Sequence, residues 1–288
     1  MKSLSGRSAL VTGASQGLGR AIAEEFLGQG ASVVLCDREA PSLERTRAAL
    51  EPLAGAGQRV LARRCDVTQR EQVEALCDWA VAELPELDIL VNNAGIQGPK
   101  GRTEEVAWEE WVETIEVNLL GPVLVCRSLI PHLKRRGYGK IIQLSGGGAT
   151  APMPRYSAYS ASKAGVVRFA ETLSRELLEH HIDVNAIAPG ALNTRMLDES
   201  LAAGPEAVGD EQYQKLLQQQ ASGGASLARA AALCAFLASR ASDGITGRLI
   251  SAVWDPWEEL GERFSELGGS DIYTLRRILP TDRGKNWQ

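Results

Sequence analysis

Tyr159 and Lys163 stand four residues apart in the run YSASK. On a helix that spacing puts both side chains on one face, a turn from each other. A phenol titrates near pH ~10 and is a poor acid or base at neutral pH. An ammonium held beside it favours the phenolate and is expected to lower its pKa. Such a pair can give a proton to a ketone oxygen or take one from an alcohol. Two surface side chains on any helix show the same spacing, so the surrounding elements have to decide.

The first of these elements begins with an apolar run at 8–12, which leads into TGASQGLG with Gly13, Gly17 and Gly19. Helical periodicity follows over 20–27. This is strand, glycine turn, helix. Glycines let backbone approach a ligand closely, and a helix N-terminus favours a pyrophosphate. The spacing is GxxxGxG rather than GxGxxG. A second strand over 31–36 ends at Asp37. An acid there can bind adenosine ribose hydroxyls and repel a 2′-phosphate, which favours NAD and leaves NADP second. Arg38 pulls the other way, and a turn residue capping the next helix is the simpler role for Asp37.

A helix near 42–53 and a strand over 59–65 follow, the strand ending in Asp66-Val67. Thr68 and Glu71 form a capping box that opens a helix through Ala82. The fourth strand, 88–91, ends in Asn92-Asn93-Ala94-Gly95. Open parallel sheets bind ligands at strand carboxyl ends where the strand order reverses, here between strands one and four. Residues 108–136 read as a helix broken near Gly121-Pro122, with Asn118 beside the break. An Asn there can satisfy freed backbone groups or hold a water; facing solvent is its other reading. A fifth strand over 140–144 meets Ser145 and three glycines. The YSASK helix runs to about 180, and a sixth strand, 182–188, ends in Pro189-Gly190 with Thr194 beyond.

Residues 195–226, rich in Ala, Gln and Gly, read as irregular or weakly helical, a mobile loop pair suited to a lid. A helix over 227–239 and a last strand over 247–253 complete the alternation. That alternation predicts an α/β domain with one parallel sheet and helices on both faces, spanning 1–253. The extension 254–288 is expected to pack on this domain or on a neighbouring subunit.

At 288 residues, 44% hydrophobic and net charge -5, the chain can bury a large core and does not suit general nucleic-acid binding. Its densest basic run, Lys134 to Arg136, reads as a helix end. No signal peptide and no uninterrupted membrane-spanning stretch are read, so a cytoplasmic protein is expected. Five scattered cysteines suit reduced, mostly apolar roles. His132, His180 and His181 lack metal-ligand spacing and read as surface helix ends; no metal is expected.

TGASQGLG, Asp37, Asp66-Val67, NNAG, Asn118, YSASK and Pro189-Gly190 with Thr194 occur in an order that resembles the short-chain dehydrogenases/reductases over about 7–247. The resemblance implies a doubly wound Rossmann sheet of seven strands, ordered 3-2-1-4-5-6-7, in a homodimer or homotetramer. It implies hydride transfer between a nicotinamide dinucleotide and a secondary alcohol or ketone, a small-molecule substrate. Tyr159 would be the general acid/base. Lys163 would lower its pKa and bind the nicotinamide ribose, and Asn118 would hold a water in a proton relay. Gly13, Ser15, Gln16, Gly17, Leu18 and Gly19, with Asp37 and Arg38, would bind the adenosine diphosphate half. Asp66 and Val67 would bind the adenine, and Asn93, Ala94 and Gly95 would border the cofactor. Pro189, Gly190 and Thr194 would cradle the nicotinamide.

Two departures stand out. The family's catalytic Ser lies thirteen residues before the Tyr, and here that position is Gly146, with Ser145 one residue earlier. A one-residue slip turns a strand side chain to the other face. A bulge in the glycines would restore the hydroxyl, and Ser145 is expected to bind substrate on that basis; loss of the Ser is the alternative. Tyr156 and Ser157 are then nearby polar candidates, or else cap and pack the helix start. The tail opens Val253-Trp254-Asp255-Pro256-Trp257 where the family has a V-D-G-G-like turn. Anchoring the tail is its expected role, and lining a sugar its alternative. The substrate expected is a polar hydroxylated compound, a sugar or polyol. Competing readings are a non-catalytic dinucleotide sensor or scaffold, and an epimerase or dehydratase working through transient oxidation.

Overall fold

The computed structural model describes residues 2–287. β1 (Ser8–Thr12), β4 (Leu87–Asn92) and β5 (Gly139–Leu144) are buried along their whole length. Continuous burial is the mark of parallel strands covered on both faces. With β2 (Ser32–Asp37), β3 (Val60–Arg64), β6 (Ile182–Ala188) and β7 (Leu249–Ser251) they form one parallel sheet, ordered β3-β2-β1-β4-β5-β6-β7. The order reverses between β1 and β4, as the sequence predicts.

Alternation sends neighbouring side chains to opposite cores. Val33 and Leu35 join α1 (Gly17–Gly28), α2 (Ala40–Leu50) and α9 (Leu227–Ala238), while Val34 and Cys36 face the other side. That second core holds α3 (Arg70–Glu83), α5 (Gly121–Arg136) and α6 (Ser157–Glu176). All five cysteines are buried free thiols.

Several local expectations need correction. Thr68 does not cap α3. Its hydroxyl and backbone N–H both donate to Asp66 Oδ1, at 2.8 and 3.0 Å, and Gln69 takes the cap position instead. The preceding carboxylate outcompetes the helix end for that hydroxyl. The helix break at 121–122 is a π-helical segment, Glu116–Leu120, between α4 (Trp108–Ile115) and α5. Pro122 has no N–H, and a wider backbone turn ahead of it accommodates the loss. By length and composition the run Trp108–Arg136 could cross a membrane, contrary to the sequence reading, but close to half of its most apolar window is buried inside this fold.

Most of 195–226 is not loop; only 223–226 and Gly209 lie outside helices. The rest forms α7 (Arg195–Val208), bent at Gly204, and α8 (Asp210–Ser222). Ala and Gln are good helix formers, and Leu197, Val208 and Leu216 bury one face against Tyr156. His132 is not a surface residue. It is buried in α5, where Nε2 shares a 2.8 Å hydrogen bond with the Leu87 carbonyl and burial lowers the imidazole pKa.

The tail packs on its own chain. Trp257 is buried against Phe236, with ring centroids 5.9 Å apart. The Arg248 guanidinium donates to the carbonyls of Leu267, Ser270 and Ile272 at 2.5–3.0 Å. Leu249 N–H donates to the Tyr273 carbonyl at 2.7 Å, so tail backbone covers part of the β7 edge.

Candidate active site

The glycine turn after β1 meets the loop after β4 backbone to backbone. Gly13 has φ 62°, and a Cβ there would lie 2.7 Å from Ala94 Cα; one on Gly19 would lie 2.2 Å from the Gly13 oxygen. Only glycine fits these places. Thr12 Oγ1 accepts from the N–H groups of Asn93 and Ala94 at 3.0 and 3.1 Å. Asn93 Nδ2 donates to the carbonyls of Thr12 and Gly13, each at 2.9 Å. Asn93 therefore braces the turn, and Thr12, which sequence reasoning passed over, is its partner.

A cavity of about 540 Å³ opens above this junction. Gly13, Gln16, Gly17 and Leu18 line it, as do Asn93, Ala94 and Gly95. Gly19 and Ser15 stand behind the lining. Ser15 N–H donates to Asp37 Oδ2 at 3.2 Å, and its carbonyl accepts from Thr46 Oγ1 at 2.6 Å. Asp37 Oδ1 accepts from Glu39 N–H at 3.1 Å. The carboxylate is thus fixed by two backbone donors, with lone pairs left for a ribose diol. Arg38 is exposed and pairs loosely with Glu39 and Glu113, at 3.9 and 3.6 Å. Asp66 and Val67 line the same end of the cavity.

Pro189 and Thr194 line the cavity from the β6 side. A Cβ on Gly17 would lie 3.6 Å from Thr194 Cγ2, so this loop closes down over the glycine turn. Gly190 does not line it. With φ 95°, it lets the backbone pass where a Cβ would strike Val253 and Ala225 at 2.6 and 2.9 Å. Met196 and Glu199 of α7 add a wall that the loop reading of 195–226 could not supply.

Tyr159 and Lys163 sit at the opposite end from Asp37. Lys163 Nζ is 5.6 Å from the Tyr159 ring centroid and donates to the Leu144 carbonyl at 2.9 Å. Burial pushes the phenol up to about 12 and the ammonium down to about 8. This reverses the lowered phenol pKa expected from the spacing, because desolvation outweighs attraction at this separation.

Asn118 is buried, not solvent-facing. Its Oδ1 accepts from Ile96 N–H at 2.8 Å, and its Nδ2 donates to the Ile96 carbonyl at 2.8 Å and to Ser162 Oγ at 3.0 Å. It serves the loop after β4 rather than the helix break. Both amide protons are committed, leaving one Oδ1 lone pair for the water that the resemblance implies.

Ser145 departs most clearly from expectation. The chain continues extended past β5, with Gly146 at φ -179° and ψ 173°, so no bulge reverses the alternation. Ser145 does line the cavity, but its buried hydroxyl turns toward α6, where it donates to the Lys163 carbonyl at 3.3 Å. The side-chain direction at Gly146 points at Tyr159 instead, its Cβ position 2.7 Å from the phenol oxygen. Tyr156 and Ser157 do not stand in. The Tyr156 hydroxyl bonds Ser200 at 3.3 Å, and Ser157 accepts from Trp111 Nε1 at 3.1 Å. In the tail, Asp255 caps the Ser251 N–H at 2.7 Å, and none of Trp254, Asp255 and Trp257 lines the cavity. Among the described residues, no cluster of three or more His, Cys, Asp or Glu is placed to hold a metal ion.

Comparison with known proteins agrees with this geometry. The pattern of the family described as short chain dehydrogenase matches residues 7–203. The 3beta-hydroxysteroid dehydrogenase 1 of Eggerthella lenta is 41% identical over 205 residues, covering 71% of this chain and 77% of its own. Glucose 1-dehydrogenase 2 of Bacillus subtilis is 34% identical over 195 residues, covering 67% and 74%. Among solved structures, NAD+-bound xylitol dehydrogenase superposes with TM-score 0.80 at 25% identity, covering 87% of this chain and 98% of its own.

Proposed function

Because the chain belongs to the short-chain dehydrogenase family, we propose that it exchanges hydride between NAD and a secondary alcohol or ketone on a polar hydroxylated compound, such as a sugar or polyol. One observation carries this reading. A single cavity joins a fixed acid at Asp37 to the half-buried Tyr159 and the buried Lys163. Backbone packed too closely for any Cβ frames the middle of that cavity, and this suits a dinucleotide lying along the β1–β4 junction.

A nicotinamide dinucleotide bound there supplies the hydride acceptor or donor. The chain's residues do the rest. Tyr159, with its pKa raised, keeps its proton at neutral pH and hands it to a ketone oxygen during reduction. Lys163, pinned by the Leu144 carbonyl, holds a proton behind the phenol and would bind the nicotinamide ribose. Asp37 accepts from ribose hydroxyls and repels a 2′-phosphate, which favours NAD over NADP. Sugar and polyol dehydrogenases among the similar proteins support a hydroxylated substrate. Exposed Trp108 and Leu120 offer apolar surface for assembly into a homodimer or homotetramer, in the cytoplasm.

Screening sugars, polyols and small cyclic alcohols with NAD, following absorbance of the reduced cofactor, tests this reading. Turnover of one class supports it. Tight NADH binding with no turnover across the set supports instead a dinucleotide-binding protein without catalysis, the reading that Gly146 favours.

A further inference from the structure

No backbone turn explains the glycine at 146. Its φ of -179° and ψ of 173° are extended, a conformation that any residue adopts. Tyr159 explains it. A Cβ at 146 would lie 2.7 Å from the phenol oxygen and 3.5 Å from Cζ. The phenol rests against strand backbone, in space that a side chain would take.

Polar side chains around the phenol are committed elsewhere. Ser145 lines the cavity, but its hydroxyl donates to the Lys163 carbonyl at 3.3 Å; Ser162 donates to the Tyr159 carbonyl. Tyr156 bonds Ser200, and Ser157 is held by Trp111. Ser160 Oγ is buried without a partner, but it lies 2.9 Å from a Cβ position on Gly148 and outside the cavity lining. The Asn193 amide donates to the carbonyls of Gln219 and Gln220, each at 3.4 Å.

Building on the hydride-exchange reading above, we propose that Gly146 makes this a single-hydroxyl site, selective for carbonyl carbons flanked by an oxygen substituent. The substrates are α-hydroxy ketones or vicinal diones, and vicinal diols in the reverse direction. In reduction the carbonyl carbon gains a hydride from the reduced nicotinamide dinucleotide, which is oxidised. The C=O π pair moves onto oxygen, and that oxygen takes the Tyr159 proton. Negative charge builds on oxygen during this step, and a second fixed donor there is worth roughly a hundred- to a thousandfold in rate. The protein does not supply that donor, so the substrate must. A neighbouring oxygen withdraws electron density, and a neighbouring hydroxyl adds an internal hydrogen bond. A simple dialkyl ketone does neither.

The test compares kcat/KM with NADH for two matched pairs, 3-hydroxy-2-butanone against 2-butanone and 2-hydroxycyclohexanone against cyclohexanone. Each ratio is divided by that of borohydride reduction, to remove intrinsic reactivity. The wild-type protein is expected to favour the hydroxylated members by a further factor of about a hundred. Relative to Gly146→Ala, which carries the same Cβ, Gly146→Ser is expected to raise the simple ketones at least about tenfold, and it is expected to shrink the ratio. Gly146→Ala, which adds bulk without a donor, is expected to slow both members and leave the ratio unchanged. Ultraviolet titration gives a second readout: a serine hydroxyl donating to the phenolate lowers the Tyr159 pKa in Gly146→Ser. A wild-type ratio equal to that of borohydride overturns the proposal whether or not the variants fold. So does an unchanged ratio in a folded Gly146→Ser protein. Failure of the hydride reading itself looks different: no member of either pair is turned over, or Tyr159→Phe turns over both at wild-type rate.

Discussion

The side chain of Asn118 grips both backbone groups of Ile96, accepting from its N–H and donating to its carbonyl, each at 2.8 Å. This clamp sets the loop that carries Gly95, where a Cβ would stand 3.2 Å from Asn118 Oδ1 and 3.5 Å from Lys163 Nζ. Asn118→Ala leaves the Ile96 groups without partners and is expected to cost about 1–3 kcal/mol by urea denaturation. Activity is expected to fall further than stability suggests, up to about a hundredfold, because the loop beside Lys163 shifts. Unchanged kcat in a stably folded variant would remove the clamp from the account.

Asp37 is held by the N–H groups of Ser15 and Glu39 with lone pairs to spare. NADH is expected to bind more tightly than NADPH by fluorescence titration. Asp37→Ala removes charge-assisted bonds worth about 1.5–3 kcal/mol, so NADH affinity should fall about ten- to a hundredfold while NADPH affinity falls less or rises. Equal or tighter NADPH binding by the wild-type protein contradicts this role.

Burial of Lys163 has a consequence for stability against pH. The folded protein holds this ammonium at about 8, against 10.5 when unfolded. Between those values the unfolded chain binds more protons, so stability rises with pH over that window. Tyr159 acts oppositely above its ordinary 10, because the folded phenol stays protonated up to about 12 while the unfolded one ionises. Denaturation midpoints measured from pH 7 to 10 are expected to show a rising component that Lys163→Met abolishes. A rise that persists in this variant assigns it to another group.

The tail contributes to stability through Trp257, which is buried on Phe236 beside the Arg229 guanidinium, 5.5 Å from its ring. Trp257→Ala is expected to cost about 3 kcal/mol in denaturation, as large aromatic truncations do. A loss below about 0.5 kcal/mol, the range of ordinary surface changes, would show that the tail is dispensable to this fold.

The strands and the cavity's two ends were legible from local signals, while the order of the seven strands came from the family resemblance. Apolar runs give the buried strands. Gly13 and Gly19 stand where backbones touch, and Asp37 ends β2. Features set by distant partners were not legible. Nothing near Asn118 in sequence names Ile96 as its partner. The Thr68 cap failed for a local reason instead: Asp66, two residues earlier, competes for its hydroxyl. The helices at 195–222 were hidden by Gly204 and Gly209, which bend and separate them without ending helical structure. For Ser145, position in the cavity was legible but hydroxyl direction was not: the bulge invoked to aim it at the phenol is absent, and it bonds the Lys163 carbonyl. The phenol's pKa was misjudged because spacing shows a neighbouring charge but not the burial that opposes it.

The central claim is that Tyr159 moves the proton in a dinucleotide-dependent reaction. Tyr159→Phe keeps the ring and removes only the hydroxyl. On a substrate found by the polyol screen, kcat is expected to fall about a hundred- to ten-thousandfold, with NADH affinity within about twofold of wild type. Turnover by Tyr159→Phe at the wild-type rate, with the same substrate and cofactor, contradicts the account.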